Sequence, residues 1–255
     1  MGFEAKIYNR IIYNDEKISW LKNLVNNIRI VKMGKKLRVG VIASGGGTDL
    51  QSIIDASEKK MINVEVIVVI TDNKDAYALK RAHNRNIPGI ILTPNGKNRE
   101  DFDKEIDNVL IDHKIDLIVG AGYMRILTSD FVKKWYGKLI NIHPALLPSF
   151  KGVNGQGDAL DYGVKIAGCT THFMNEEMDS GPIILQAAVK VMPGDDRDKL
   201  ASRILEVEHQ ILPRTIDLFE KGCLKIKGRK VEIKKDTSWK DKYKVLPDVL
   251  YSEGY

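Results

Sequence analysis

Residues 37–54 read LRVGVIASGGGTDLQSII, an apolar run followed by a glycine-rich turn and apolar residues at helical spacing. This order predicts a buried strand over Leu37 to Ala43, a tight turn and a helix. Free backbone N–H groups at such a helix start can bind a phosphate. The turn matches neither a P-loop nor the dinucleotide-binding G-x-G-x-x-G pattern, so it favours an anion over a nucleotide cofactor. The alternative is a plain turn in which Thr48 or Asp49 caps the helix.

The chain beyond this turn alternates apolar, β-branched runs with amphipathic segments. Such alternation predicts an α/β fold, with a mostly parallel sheet and helices on both faces. Two later apolar runs flank an acidic turn, which predicts an antiparallel portion of the sheet toward the C-terminal half. The predicted strands are 64–71, 87–92, 115–119, 169–174 and 182–191, the predicted helices are 76–84, 99–113 and 195–220, and a basic hairpin surrounds Gly228.

Residues 138–152, KLINIHPALLPSFKG, place polar side chains where a buried strand ends. Pro144 cannot continue the strand, which leaves His143 at its exit. Asn141 projects to the same side, because side chains alternate with period two. An amide and an imidazole at the carboxyl end of a strand can bind a carbonyl oxygen and move a proton. The alternative is that both side chains only fasten the strand end.

Two further segments lie close to this stretch in the sequence. Residues 153–158 contain two glycines and no regular pattern, so we expect an irregular loop that could act as a mobile lid. Asp179 lies in the turn of the predicted antiparallel hairpin. Beside His143, its carboxylate would hold the imidazolium and raise the pKa of the ring. The alternative is that Asp179 caps its own turn.

Composition limits the classes of function. The 255 residues carry a formal charge of +6, but the excess lies at the two ends and the body is mildly acidic, which argues against nucleic-acid binding. Cys169 and Cys223 show no metal-binding spacing, which fits a reducing compartment. No stretch is long and apolar enough for a membrane helix. We therefore expect a soluble, cytoplasmic protein.

The chain divides into three parts by pattern. Residues 1–36 form an N-terminal extension in which apolar residues between 18 and 28 predict a short amphipathic helix. Met33 would make an ordinary start immediately before the first strand, so we expect the first 32 residues to be dispensable for activity. Residues 37–220 form the main domain, and residues 221–255 form a basic hairpin and a tail.

Six motifs, taken in order and spacing, resemble the phosphoribosylglycinamide formyltransferases of purine biosynthesis. They are SGGGTDLQSIIDA, GYMRIL, KLINIHPALLPSFKG, GCTTHF, MDSGPIILQ and EHQILP, and the likeness covers residues 37–220. The resemblance implies a Rossmann-like formyltransferase domain that uses 10-formyltetrahydrofolate as co-substrate and no metal. It also implies direct attack of the glycinamide ribonucleotide amine on the formyl carbon, without a covalent intermediate.

The resemblance assigns roles residue by residue. It implies that Asn141, His143 and Asp179 are catalytic, with Asn141 and protonated His143 stabilising the oxyanion. Asp179 would keep His143 charged and, through a water, help to move the proton of the amine. The implied ribonucleotide contacts are Gly47, Thr48, Asp49 and Glu208, and the implied folate contacts are Arg99, Met124, Arg125, Ile126, Leu127 and Asn141.

The sequence departs from the family at three places. Asp49 stands where the family commonly has Asn, and Leu205 stands where some relatives have Lys or Gln. The loop after Gly152 lacks a histidine that many members carry. An added carboxylate near a phosphate is repulsive, so these changes concern substrate affinity more than chemistry.

The remaining histidines have simpler interpretations. His172 either supports the site or is an ordinary sheet residue, and we interpret His83, His113 and His209 as structural. Two alternatives to the transferase stay open: a 10-formyltetrahydrofolate hydrolase and a non-catalytic homologue that binds folate or phosphate.

Overall fold

The computed structural model describes residues 35–239, 242, 243 and 245–255, and Leu37–Tyr255 form one compact unit. The predictions for the N-terminal helix and for Met33 lie outside the described residues. The strands are β1 Leu37–Ile42, β2 Val64–Thr71, β3 Gly89–Ile91, β4 Leu117–Gly120, β5 Leu139–His143, β6 Ile166–Phe173, β7 Ile183–Lys190, β8 Leu224–Lys227, β9 Lys230–Ile233 and β10 Leu250–Tyr251. The helices are α1 Thr48–Glu58, α2 Tyr77–His83, α3 Arg99–Asp112, α4 Ser129–Lys134, α5 Gly155–Tyr162 and α6 Arg197–Glu220.

These strands form one sheet in the order β3-β2-β1-β4-β5-β6-β7-β9-β8, and β10 also pairs with β7. Pairing is parallel from β3 to β5 and antiparallel from β5 to β7. The predicted α/β fold, with a mostly parallel sheet and an antiparallel portion toward the C-terminal half, is confirmed. The order reverses between β1 and β4, which is where open α/β sheets form a ligand crevice at the strands' carboxyl ends.

Helices cover both faces of the sheet, as predicted. One apolar cluster packs α1, α2 and α6 against the sheet, with Leu50, Ile53 and Ile211 fully buried. A second cluster packs α3 and α4 on the other face through Phe102 and Phe131. The two faces are therefore closed by separate apolar layers, and the carboxyl edge of the sheet is left free for polar groups.

Some boundaries differ from the prediction for local reasons. Strand β4 begins two residues later than expected, because the Ile115 N–H donates to Leu110 O and Lys114 adopts a positive φ of 50° in the turn after α3. Helix α6 begins at Arg197, because Asp196 accepts a hydrogen bond from the Lys199 N–H and so caps it. The basic hairpin is present as β8 and β9, and both strands join the main sheet.

Candidate active site

The carboxyl end of β5 carries Asn141 and His143. Asn141 pairs with Gly120, the last residue of β4, and both residues pair with the antiparallel strand β6 on the other side. The Asn141 Nδ2 lies 3.3 Å from His172 Nε2 on β6, and His172 Nδ1 donates to the Phe173 carbonyl at 3.0 Å. His172 Nε2 therefore lies beside both the Asn141 amide and the Asp179 carboxylate. A Cβ at Gly120 would lie 2.7 Å from Asn141 Oδ1, so glycine there leaves room for the amide.

Asp179 lies in the turn between β6 and β7, with a left-handed φ of 47°. Its Oδ2 accepts the Gly152 N–H at 2.9 Å and lies 3.4 Å from His143 Nδ1. Its Oδ1 lies 3.6 Å from His172 Nε2. Burial acts to raise the pKa of Asp179, but His172, the Gly152 N–H and His143 together lower it below its usual value. Asp179 is therefore a carboxylate, and the fold brings it beside His143.

His143 is buried, and each of its ring nitrogens faces an acceptor. Its Nε2 donates to the Phe150 carbonyl at 2.8 Å, and its Nδ1 faces the Asp179 carboxylate. Burial lowers the pKa of His143, and this effect outweighs the Asp179 carboxylate, which acts to raise it. The Asp179 carboxylate raises the pKa of His143, as the sequence predicted, but burial of the ring lowers it by more, so the net shift is downward.

These side chains line a cavity of about 360 Å³ at the carboxyl edge of the sheet. The cavity also contains side chains that the sequence did not single out. Most of these belong to the acidic turn before Asp179, and only their place in that turn could have identified them from the sequence as residues of the site. The predicted residues that line the cavity are Asp49, Met124, Arg125, Ile126, Leu127, Asn141, His143, Asp179 and Glu208, and the additional ones include Tyr123, Gln156, Asn175, Glu176, Glu177 and Met178.

The glycine turn after β1 contributes the start of α1 to this region. Gly47 is the N-cap with φ 66°, and a Cβ there would lie 2.9 Å from the backbone of Ala78, so only glycine fits. Because the N-cap is Gly47, neither Thr48 nor Asp49 is the N-cap, and no side chain of the described residues caps the helix. Thr48 lines an adjacent groove, and the first N–H groups of α1, which have no acceptor within the helix, can bind an anion.

The predicted folate segment follows β4 and lies beside the glycine turn, where the Met124 N–H donates to Ser44 Oγ at 3.1 Å. The side chains of Met124 and Ile126 are 59% and 44% exposed, an apolar surface suited to a flat ring system. Arg125 stacks its guanidinium 5.0 Å from the centre of the Phe102 ring. Arg99 begins α3 and is not among the cavity-lining residues, although its charge acts on buried Asp103. The structure therefore brings together all the predicted folate residues except Arg99.

The segment predicted as an irregular, mobile loop is helical from Gly155 onward. The prediction of an irregular loop is wrong, because the glycines of this segment allow the helix to pack closely against its neighbours. A Cβ at Gly155 would lie 3.1 Å from Phe150 O and 3.3 Å from His143 Nε2. Asn154 donates to Asp158 one helical turn later, which ties down the start of α5. Helix α5 therefore closes the cavity above His143.

The part of the chain that the structure describes contains neither a membrane-spanning helix nor a cluster of metal ligands. None of its helices combines the length and the apolar character that a membrane crossing requires. Its residues include no group of three or more His, Cys, Asp or Glu side chains arranged to hold a metal ion.

Comparison with known proteins gives consistent relatives. The phosphoribosylglycinamide formyltransferase of Haemophilus influenzae is 42% identical over 191 residues, which cover 74% of this chain and 90% of that protein. The trifunctional purine biosynthetic protein adenosine-3 of Homo sapiens is 42% identical over 87% of this chain, but the chain spans only 22% of that protein's length. The crystal structure of glycinamide ribonucleotide transformylase 1 from Symbiobacterium toebii has a TM-score of 0.77 and 43% identity, over 79% of this chain and 96% of that chain.

The sequence model of the formyl transferase family matches residues 37–216, which include β1 to β7 and all of α6 except its last four residues. The site built from β5, the β6–β7 turn and the start of α1 lies entirely within this match. The chain belongs to the formyl transferase family and, within it, to the phosphoribosylglycinamide formyltransferases.

Proposed function

We propose that this protein transfers the formyl group of 10-formyltetrahydrofolate to the amine of N1-(5-phosphoribosyl)glycinamide. The observation that carries the proposal is one cavity whose lining includes Asn141, His143, Asp179 and Glu208 and reaches the start of α1 at Asp49. A site for formyl transfer to a phosphorylated amine needs these parts side by side: an oxyanion donor, a proton carrier and an anion-binding helix start.

The two substrates bind to separate parts of the lining and meet at the catalytic residues. The phosphate of the ribonucleotide binds the free N–H groups of α1 at Gly47, Thr48 and Asp49, and Glu208 contacts the ribose. The folate ring packs on Met124 to Leu127, whose apolar side chains are exposed at the cavity mouth. Arg99 lies beyond the cavity lining, so it contacts only a distal carboxylate of the folate.

Formyl transfer then follows from the geometry around β5. The amine nitrogen forms a bond to the formyl carbon, and the carbonyl electron pair moves to oxygen, where the free hydrogen of the Asn141 amide stabilises it. Burial lowers the pKa of His143, which favours a neutral ring that accepts the amine proton, directly or through a water, and Asp179 stabilises the imidazolium that forms. The carbonyl re-forms, the bond to folate N10 breaks, and His143 returns the proton to N10.

An absorbance assay with a 10-formyl-folate analogue tests this function. Turnover that depends on glycinamide ribonucleotide and disappears in His143→Ala is the expected result. Turnover without the ribonucleotide would identify a hydrolase instead. Binding of the folate analogue without any turnover would identify a non-catalytic homologue. Retention of the native melting temperature by His143→Ala is the control that separates lost chemistry from lost folding.

The organisation of the chain is part of the proposal. Residues 37–220 form the formyltransferase domain, residues 1–36 are an appendage, and residues 221–255 are a basic hairpin and tail. The protein works in the cytoplasm on small-molecule substrates, as a monomer or a homodimer. Sedimentation velocity of the full chain with and without both substrates measures the oligomeric state.

A further inference from the structure

Two carboxyl groups from different elements line the same cavity. Asp49 lies in the first turn of α1, and Glu208 lies in α6 and is only 5% exposed. Within the described residues, Glu208 makes no hydrogen bond or ion pair, and the buried Asp49 Oδ1 has no hydrogen-bond partner. His209 Nε2 lies 3.9 Å from Asp49 Oδ1, and Arg197 lines the same cavity. Among the described residues, neither acid is hydrogen-bonded to a positive partner, although both lie at a proposed phosphate site.

The groups that face this pair do not supply the missing charge. From α6, His209 is partly buried, and burial with the nearby Arg81 lowers the pKa of its ring. From α2, Arg81 directs its guanidinium to Gly46 O at 2.8 Å and to Gln51 Oε1 at 3.3 Å. From β6, Cys169 is fully buried, and burial raises the pKa of its thiol. Asp55, further along α1, adds only negative charge.

The physical consequence is that the pair resists ionisation. Burial raises the pKa of Asp49 to about 7. Burial, together with the charge of Asp49, raises the pKa of Glu208 well above its usual range. In acid both groups hold a proton, and above neutral pH Asp49 is the first to ionise. A phosphate dianion at the start of α1 would oppose that ionisation further.

We propose that Asp49 receives the ribonucleotide phosphate as a neutral carboxylic acid whose O–H donates a hydrogen bond to a phosphate oxygen. The protonated carboxyl has the shape and the donor of an asparagine amide, the residue common at this position in the family. Glu208 keeps its own proton beside it. Above neutral pH, where Asp49 has lost its proton in the empty site, the binding of ribonucleotide therefore takes up a proton from solvent. This inference rests on the proposed function, because it needs a phosphorylated ligand at α1.

Calorimetric titration with glycinamide ribonucleotide tests the inference directly. Near pH 8, binding measured in two buffers of different ionisation enthalpy should show uptake of about one more proton by the native protein than by Asp49→Asn. The affinity of the native protein, relative to that of Asp49→Asn, should fall about tenfold between about pH 6 and about pH 8. Because both proteins bind the same ligand, ionisation of the phosphate itself cancels in the comparison.

A second measurement does not need the ligand. The raised pKa of Asp49 means that stability is lost as pH rises from the unfolded value of 3.8 toward about 7. The melting temperature of Asp49→Asn should therefore exceed that of the native protein by more near pH 8 than near pH 5.

The outcomes separate this inference from the proposed function. Ribonucleotide binding with equal proton uptake by both proteins would overturn the role of Asp49 and leave the transferase intact. Failure of both proteins to bind ribonucleotide, while a folate analogue still binds, would overturn the acceptor assignment and this inference with it. Equal melting-temperature differences at the two pH values would show that Asp49 is an ordinary carboxylate, which also contradicts the inference.

Discussion

Replacing Gly120 by alanine tests whether the position of the Asn141 amide controls turnover. Gly120 pairs with Asn141 across β4 and β5, and a Cβ at position 120 would lie 2.7 Å from Asn141 Oδ1. The backbone of β5 is held between β4 and β6, so the side-chain amide must move. Loss of one oxyanion donor lowers kcat by about 100- to 1,000-fold, or about 3 to 4 kcal/mol of activation free energy.

The fold should tolerate this change. Alanine is more favourable than glycine inside a strand by about 0.5 to 1 kcal/mol, which offsets part of the cost of moving the amide. The assay is kcat for formyl transfer together with the melting temperature. Gly89→Ala is the matched control. Gly89 lies in β3, away from the cavity, and a Cβ there would meet only the flexible end of the Leu79 side chain. Its kcat should be unchanged.

A double-mutant cycle gives the refuting result. In an Asn141→Ala background, Gly120→Ala should cost almost nothing more, because the group that it displaces is already absent. Losses that add fully in the double variant would show that Gly120→Ala acts by another route. Native kcat in Gly120→Ala, with an unchanged melting temperature, would refute the role assigned to the Asn141 amide.

Two other predictions concern Asp179 and the N-terminal extension. Asp179→Asn should lower kcat by about a hundredfold or more, because the imidazolium formed at His143 loses its carboxylate. The control is Asp198→Asn, which changes an exposed carboxylate outside the cavity and should leave kcat unchanged. Equal losses of kcat in the two variants, measured in steady-state assays, would contradict the pairing of Asp179 with His143. Removal of residues 1–32 should leave kcat and KM unchanged, and loss of soluble protein on truncation would show that the extension is needed for folding.

The sequence was sufficient for the sheet because its signals are local. Apolar β-branched runs predicted β2 over the bounds that the structure has, and alternation with helices predicted parallel pairing but not the order of the strands. The segment after Gly152 could not be predicted in this way, since glycine is compatible both with a mobile loop and with a helix packed against His143. Only the neighbours of Gly155 decide between them, and they come from distant parts of the chain.

The C-terminal tail was uninformative for a similar reason. Its aromatic and charged residues carry no periodic pattern, yet the tail is fastened to α6 by fully buried Arg214. The Arg214 guanidinium donates to Asp217, to Asp236 and to Gly254 O, and it lies over the ring of Trp239 at 5.4 Å. Such a network depends on side chains from separate segments, and a buried cation is stable only when all of these partners are present.

The protonation state of the site residues is the property that the sequence predicts least well. Sequence identified His143 and Asp179 as a pair, and pair logic alone predicts a charged imidazole. The pKa of a buried group also depends on how much water every surrounding element removes, and α5, β5 and β6 together bury His143 enough to reverse the net direction. The same reasoning applies to Asp49, where a charge that the sequence presents as repulsive becomes a hydrogen-bond donor once α1, α6 and β6 enclose it. The protonation of the groups in the cavity therefore depends on the surrounding helices and strands that exclude water, as well as on the charged side chains themselves.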